Sequence, residues 1–367
     1  MGRERGVRGA WLGALLAAVT AAAPALAEVT TERPGSIVIF PKIIASGGRD
    51  TIIQISNVSN SMVHAHCFYV NAALGPNPDP LGQPIPRWQE VDFDIWLTKQ
   101  QPTHWIASAG RRVYPLDDEC TLTNAECNDA GLDPGRVPPL PPDFVGELKC
   151  IEVDSSGAPI SGNHLKGEAT LVVVAGGADA GDASKYSALA VVGLDTNDAN
   201  NTLCLGGGVT AKCRSGAEYN ACPQTTLVNN FATGADNPQL GVDSEVTTEL
   251  TIVPCTQDYE SQTPASVVVQ FDVFNEFEER FSASTTVTCW GNFEQSEVNS
   301  VVFDVDTVGT RFLHTRMAPA TRDYPGFVAV VEEFHAVAGV GTGRAAFNLH
   351  TIGERPTADV ITIPEGP

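Results

Sequence analysis

Past its N-terminal stretch, this 367-residue chain has no apolar run near the roughly 18 residues that a membrane-spanning helix needs; Thr170–Ala175 is far too short. No amphipathic helix of ordinary length stands out by period either. Basic residues are scarce, with 22 Lys and Arg against 44 Asp and Glu, for a net charge of −22. A field of that sign repels a phosphate backbone and an anionic lipid surface, so no nucleic acid is expected as a partner and lipid binding is disfavoured, while the lack of a long apolar run predicts no membrane span. The motifs C-x-x-C, G-x-S-x-G, H-E-x-x-H and G-x-x-x-x-G-K-[ST] are all missing. Their absence removes zinc-knuckle and thioredoxin-like readings, the common serine and zinc hydrolases, and P-loop nucleotide chemistry. Gly339–Gly343 is glycine-rich, but it lies between two strand signals with no helix after it, which predicts a hairpin turn.

What is present begins with a leader. Arg3, Arg5 and Arg8 precede an apolar run, Ala10–Ala23, and the small-residue site Ala25-Leu26-Ala27. That order predicts a signal peptide over residues 1–27 and an exported chain, whether periplasmic, cell-surface or extracellular. All nine cysteines follow the leader, in a compartment where disulfides persist. Nine is odd, so at least one thiol stays free or pairs with another chain.

The remaining chain reads as all-β: short runs of Val, Ile, Thr and Phe separated by Gly, Pro, Asn and Asp. In TIIQIS (51–56), Ile53 and Ile55 share one face; in the 62–70 run, Val63, Ala65 and Cys67 do. SIVIFPKIIA (36–45) contains Pro41, which predicts an edge strand or a bulge. Six segments recur in order. SIVIFPK matches TELTIVPC, TIIQIS matches VVVQFD, and VHAHCF matches TTVTCW. FDIWLTKQQPTHWIA matches FDVDTVGTRFLHTRM, DFVGELKCI matches GFVAVVEEF, and GEATLVVVAGG matches GRAAFNLHTIG. Shared order predicts an internal duplication. The expected fold is two immunoglobulin-like antiparallel β-sandwich modules, residues 28–195 and 247–367, joined by a cysteine-bearing connector over 196–246. Module one carries its extra length in the proline-rich loops Leu74–Pro86 and Asp117–Pro142, the expected partner-binding segments.

The stretches DTIIQISNVSNSMVHAHCFYV, GELKCIEVD, LKGEATLV, LTIVPCTQDYE and above all QFDVFNEFEERFSASTTVTCW resemble exported bacterial proteins with duplicated β modules. The resemblance covers most of the chain. It implies export and β architecture and names no substrate.

Candidate sites follow from residue type and face. Cys67 and Cys150 sit beside Val63 and Leu148 on inward faces, which predicts a disulfide between facing sheets, contributing about 2–4 kcal/mol. Cys255–Cys289 and Cys120–Cys127 are the next expected pairs, and Cys204, Cys213 and Cys222 allow three pairings with one left over. His64 and His66, at i and i+2 on a strand, project together and are the candidate metal ligands, although most such histidines are structural. Calcium is the other possible cation, at the Asx-rich segments 195–201 and 117–133, neither of which has the order of an EF-hand loop. Glu278 and Glu279, beside Arg280, read as a solvated hairpin turn, with Phe274 and Phe277 expected to cover the end of the module. The functional expectation is a non-catalytic exported structural or binding protein, with an extracytoplasmic protein or glycan as partner. The alternatives are an exported hydrolase whose triad has no readable spacing, or a periplasmic metal-binding protein.

Overall fold

The computed structural model describes residues 29–78, 84–111, 135–175, 179–194 and 200–364. The leader therefore lies outside the described residues, as do Cys120, Cys127 and most of the two candidate calcium segments. In chain order the strands are β1 (Ile37–Ala45), β2 (Arg49–Asn57), β3 (Val63–Asn71), β4 (Leu74–Pro78), β5 (Pro84–Pro86), β6 (Gln89–Leu97), β7 (Pro102–Ile106) and β8 (Phe144–Val153). They continue with β9 (Leu165–Val173), β10 (Ala183–Ser187), β11 (Leu189–Val191), β12 (Thr202–Leu205), β13 (Pro223–Phe231), β14 (Ser244–Pro254), β15 (Gln257–Asp258) and β16 (Ser266–Phe274). The last are β17 (Arg280–Thr288), β18 (Gly291–Glu294), β19 (Phe312–Pro319), β20 (Phe327–Val337), β21 (Gly341–Asn348), β22 (His350–Glu354) and β23 (Asp359–Thr362). Two one-turn helices, α1 (Gln295–Val298) and α2 (Val305–Val308), interrupt the run. Among the described residues no helix is long and apolar enough to cross a membrane.

The strands form five small sheets and a two-stranded ribbon, β4-β5. Sheet I is β11-β1-β8-β3-β6, sheet II is β10-β9-β2-β7, and sheet III is β12-β23-β15. Sheet IV is β17-β16-β19-β13-β22, and sheet V is β18-β14-β20-β21. This corrects the expectation of two immunoglobulin-like sandwich modules. Five small sheets, the number in a five-bladed β-propeller, stand in their place. The strand order also breaks the immunoglobulin pattern: β9 follows β8 but leaves it to pair with β2 along its whole length. Consecutive strands do not form a simple meander within a sheet either. Of the apparent duplication, the pair β1·β8 recurs as β14·β20 and β2·β7 recurs as β16·β19. The other pairings differ: β3 joins β8, whereas its counterpart β17 joins β16. Residues 196–246 contribute β13, an internal strand of sheet IV between β19 and β22.

Three cores explain why the halves are not independent. Phe40, Ile53, Tyr69, Leu148 and Leu171 fill the first, between sheets I and II, together with Val330 of sheet V. The second lies on the other face of sheet I, where Ile39, Phe68 and Ile151 meet Leu203 and Ile361 of sheet III and Val253 and Val328 of sheet V. In the third, Val269, Phe271 and Met317 of sheet IV pack on Leu250, Ile252 and Val331 of sheet V. The inner strands β1 and β8 of sheet I are thus buried on both faces; β1 reads as a near-continuous apolar run, whereas β8 alternates Glu147, Lys149 and Glu152 with apolar residues and is buried nonetheless. Each such side chain contributes about 1.5–3 kcal/mol when fully buried.

Pro41 makes the bulge anticipated for it. The register of β1 on β8 slips between Phe40 and Ile43, while β1 stays internal, between β11 and β8. The slip coincides with Lys42, whose Nζ lies 2.6 Å from Glu249 Oε2 and 2.9 Å from Glu332 Oε2 of sheet V. Arg49 also reaches Glu332, and Ser184 Oγ donates to it at 2.9 Å. Burial alone would raise the Glu332 carboxyl, but Lys42 and Arg49 hold it below the usual carboxylate range. Trp290 Nε1 donates to Pro41 O at 2.7 Å beside this ionic clasp.

Candidate functional site

Two places gather side chains with chemistry. The first is the outer face of sheet I. Antiparallel register sets His64 across from Trp96, His66 across from Asp94, and Phe68 across from Asp92 on the edge strand β6. On the other side of β3, Phe68 faces Lys149 and Val70 faces Glu147. A carboxylate ladder of Glu90, Asp92 and Asp94 therefore flanks the two histidines.

His64 Nε2 lies 2.7 Å from Asp94 Oδ1, and its Nδ1 lies 2.9 Å from the Asp154 carbonyl. Its ring stacks on Trp96 with centroids 3.6 Å apart. His66 Nε2 lies 3.0 Å from Asp92 Oδ2. Partial burial pushes the Asp94 carboxyl up, but the His64 hydrogen bond and the charge of the two imidazoles outweigh it, leaving the group low. The geometry is two parallel histidine–carboxylate pairs, each ring nitrogen aimed at its own carboxylate rather than at a shared point.

Further along the same face the groups become buried. Lys149 Nζ and Glu147 Oε2 are 2.6 Å apart with neither side chain exposed. Tyr259 covers them, stacked on Phe68 at 4.3 Å, with Lys149 Nζ 5.8 Å from its ring centroid. Burial raises the Glu147 carboxyl. Glu90 is pushed up to about 8 by burial and by the neighbouring carboxylates Asp92, Asp258 and Glu147. Cys289, beside them, is driven up to about 12 by burial and by Glu147, so it is a thiol rather than a thiolate nucleophile at neutral pH. The cavity lined by Glu90, Gln257, Tyr259 and Cys289 measures about 10 Å³, room for one water.

The second place is the β16–β17 turn. Asn275 is buried and organises it: Oδ1 accepts from Phe277 N at 3.0 Å and Glu279 N at 2.9 Å, while Nδ2 donates to the Val308 carbonyl at 2.8 Å. Glu278 completes the turn in the left-handed region, at φ 65°. Phe277 is 70% exposed, which corrects the expectation that it covers the end of a module. It stands over a cleft of about 540 Å³ lined also by Asp236, Glu276, Val305, Asp306 and Arg311. Arg311 is tied to Asp236 through Nε at 2.5 Å, and that hydrogen bond holds the Asp236 carboxyl below its usual range.

Cysteine placement differs in part from the sequence reading. Cys67 and Cys150 are bonded, but they are cross-strand neighbours in one sheet, Cα atoms 4.0 Å apart, and do not join facing sheets. Cys204 pairs with Cys213. Cys255 pairs with Cys222 and not with Cys289, which is buried and free. Cys222 directly precedes β13 and Cys255 directly follows β14, and the fold brings those two strand ends together, while Cys289 Sγ accepts from Gln257 Nε2 at 3.2 Å. Cys222, Cys255 and Asp359 are the one His/Cys/Asp/Glu group close enough to share an ion among the described residues. Its sulfurs are in a disulfide, and Asp359 holds Arg355 at 3.1 Å, so those donors are already committed. Sequence reading missed Glu90, Glu147, Lys149 and Tyr259. The available signal was the alternation of Glu147 and Lys149 opposite Leu148 and Cys150 in β8.

No family model matches the chain, and no curated protein matches it. Among solved structures it has a likeness to a chain of the cowpea mosaic virus top component, a naturally occurring empty particle. That match has 10% identity, covers 97% of this chain and 98% of that chain, and has a TM-score of 0.15. A score that low carries no argument about fold or role. The chain is placed by its own structure, as an all-β protein of small sheets with three described disulfides, which an oxidising compartment maintains.

Proposed function

We propose that the chain is a non-catalytic exported binding protein, periplasmic, on the cell surface or extracellular, that offers the 275–279 turn to an extracytoplasmic protein or glycan. The observation that carries this reading is Phe277, a large apolar side chain held in water by a turn with four specific restraints. Folding gains nothing from such an arrangement. Binding does, because a pre-organised aromatic loses little entropy when covered, and aromatic anchors dominate interface energies. The surrounding carboxylates of Glu276 and Asp306 favour a partner carrying basic groups or hydroxyls. His64, His66 and Lys149 of sheet I, by contrast, are each taken up by a carboxylate.

The test is to immobilise the protein and pass over it purified envelope proteins and cell-wall polysaccharides, alongside Phe277→Ser. The reading expects at least tenfold weaker capture by the variant, with an unchanged thermal transition. Equal capture by both forms would remove the turn from consideration. Turnover of ester, peptide or glycoside reporters by pure protein would remove the non-catalytic reading.

A further inference from the structure

We propose that β17 is a strand-pairing edge that takes a second copy of this chain, β17 against β17, antiparallel about Ser284. The edge strands divide sharply. Most are too short to template pairing: β11, β12, β15 and β18 have two to four residues, and β7, β10 and β22 have five. The eight-residue edge β21 carries Arg344 and is tied to β10 through Asn348 and Ser187. Only β6 and β17 run to nine residues. Natural sheets blunt long edges with charge, proline or a bulge. β6 has Glu90, Asp92 and Asp94. β17 has none of these devices from Phe281 to Thr288, its register on β16 is unbroken over all nine residues, and no other strand pairs with it among the described residues.

The occupant follows from the residue pattern. Ser282, Ser284 and Thr286 are exposed on one face, whereas Ala283 and Val287 are buried in the third core, against which Phe281 also packs. A twofold axis at Ser284 sets even positions opposite even and odd opposite odd, so Phe281 meets Val287 of the second copy and the apolar face continues across the junction. Arg280 falls opposite Thr288, and no like charges are placed across from each other within the strand pair. In a chain with net charge −22 this is the long edge on which two copies meet without facing carboxylates. Strand pairing alone buries little surface, so the dimer forms in a concentration-dependent way. Added salt tightens it by screening the repulsion between the two acidic bodies.

Sedimentation of the folded chain over a concentration series, at low and high salt, tests this alongside Ser284→Lys. That substitution puts two ammonium groups face to face at the twofold axis while leaving an exposed position exposed. Expected are a reversible dimer for the native chain, strengthened by salt, and at least about tenfold weaker dimerisation for the variant with the same thermal transition. A native chain that stays monomeric throughout, or a variant that dimerises equally, overturns the proposal. So does a monomeric chain that takes up a synthetic 280–288 peptide from solution, which assigns the edge to a foreign segment. Phe277→Ser leaves this dimer intact, so the result is separate from that of the binding turn.

Discussion

Sheets I and IV each have five strands and end in a nine-residue edge, yet they treat that edge in opposite ways. β6 is armed with alternating carboxylates whose charge is answered from the neighbouring strand by His64 and His66, and deeper in by Lys149. β17 presents serine and threonine and no charge beyond Arg280, which is held by Asp272 at 2.6 Å. Charge along an edge obliges the fold to supply partners for it, and the supply reaches into the interior as a buried ion pair. An uncharged edge imposes no such demand and remains available to another strand.

The comparison can be broken most severely at the buried end of the sheet I ladder. Glu147→Ala leaves the Lys149 ammonium enclosed without its carboxylate and should cost about 3–5 kcal/mol in chemical denaturation, whereas Glu147→Met with Lys149→Met should recover most of that. Equal stability of the single and double variants would show that the pair is not what the interior demands.

Glu90 offers a test by pH. Its folded value near 8 lies above the ordinary 4.5, so between those values the folded state holds a proton that the unfolded state has released. Stability from this group is therefore present at acid pH and falls as pH rises through the window. Glu90→Gln should match the native chain near pH 4 and melt higher than it above pH 8. Solvent screening at this incompletely buried carboxyl keeps the gain modest. Parallel melting curves for the two proteins across the range would refute the assignment.

Smaller effects should come from exchanging the character of the edges. Asp92→Ser with Asp94→Ser removes two of the three carboxylates of β6 and the carboxylate partner of each histidine. A rise in light scattering at high protein concentration, absent from the native chain at the same ionic strength, is the expected sign of an unguarded edge. The smallest effect belongs to Phe277→Ser, whose unfolding free energy should stay within about 0.5 kcal/mol of native because the ring makes little contact with the fold. A larger loss would mean that the ring packs in solution.

Much of this was legible in the residues and some was not. Strand positions followed from alternation, as in Ile53 and Ile55 of β2, because side chains on a strand change face every residue. Cys67 and Cys150 could be paired from their apolar neighbours, but whether they joined two sheets or two strands of one sheet depended on which strands became neighbours. The acidic ladder of β6 was written in Glu90, Asp92 and Asp94. Its meaning was not, since it required knowing that β6 is an edge and that β3 supplies the histidines. Phe277 was misread because an aromatic residue in a turn is usually covered, and only the restraints around Asn275 show it held outward.

By itself the amino-acid sequence determined the all-β character, the inward and outward faces of the strands, the acidic surface and a break in the strand at Pro41, which it left open as an edge or a bulge. These depend on local stereochemistry and composition. The tertiary structure alone decided that β9 crosses to β2, that the inner strands of sheet I are buried on both faces, that Cys222 takes Cys255 and leaves Cys289 free, and that β17 ends its sheet with no further strand beside it among the described residues. Each of those depends on contacts between segments far apart in the chain. Short apolar strands offer many nearly equal pairings, and the choice among them is made by how the cores close together.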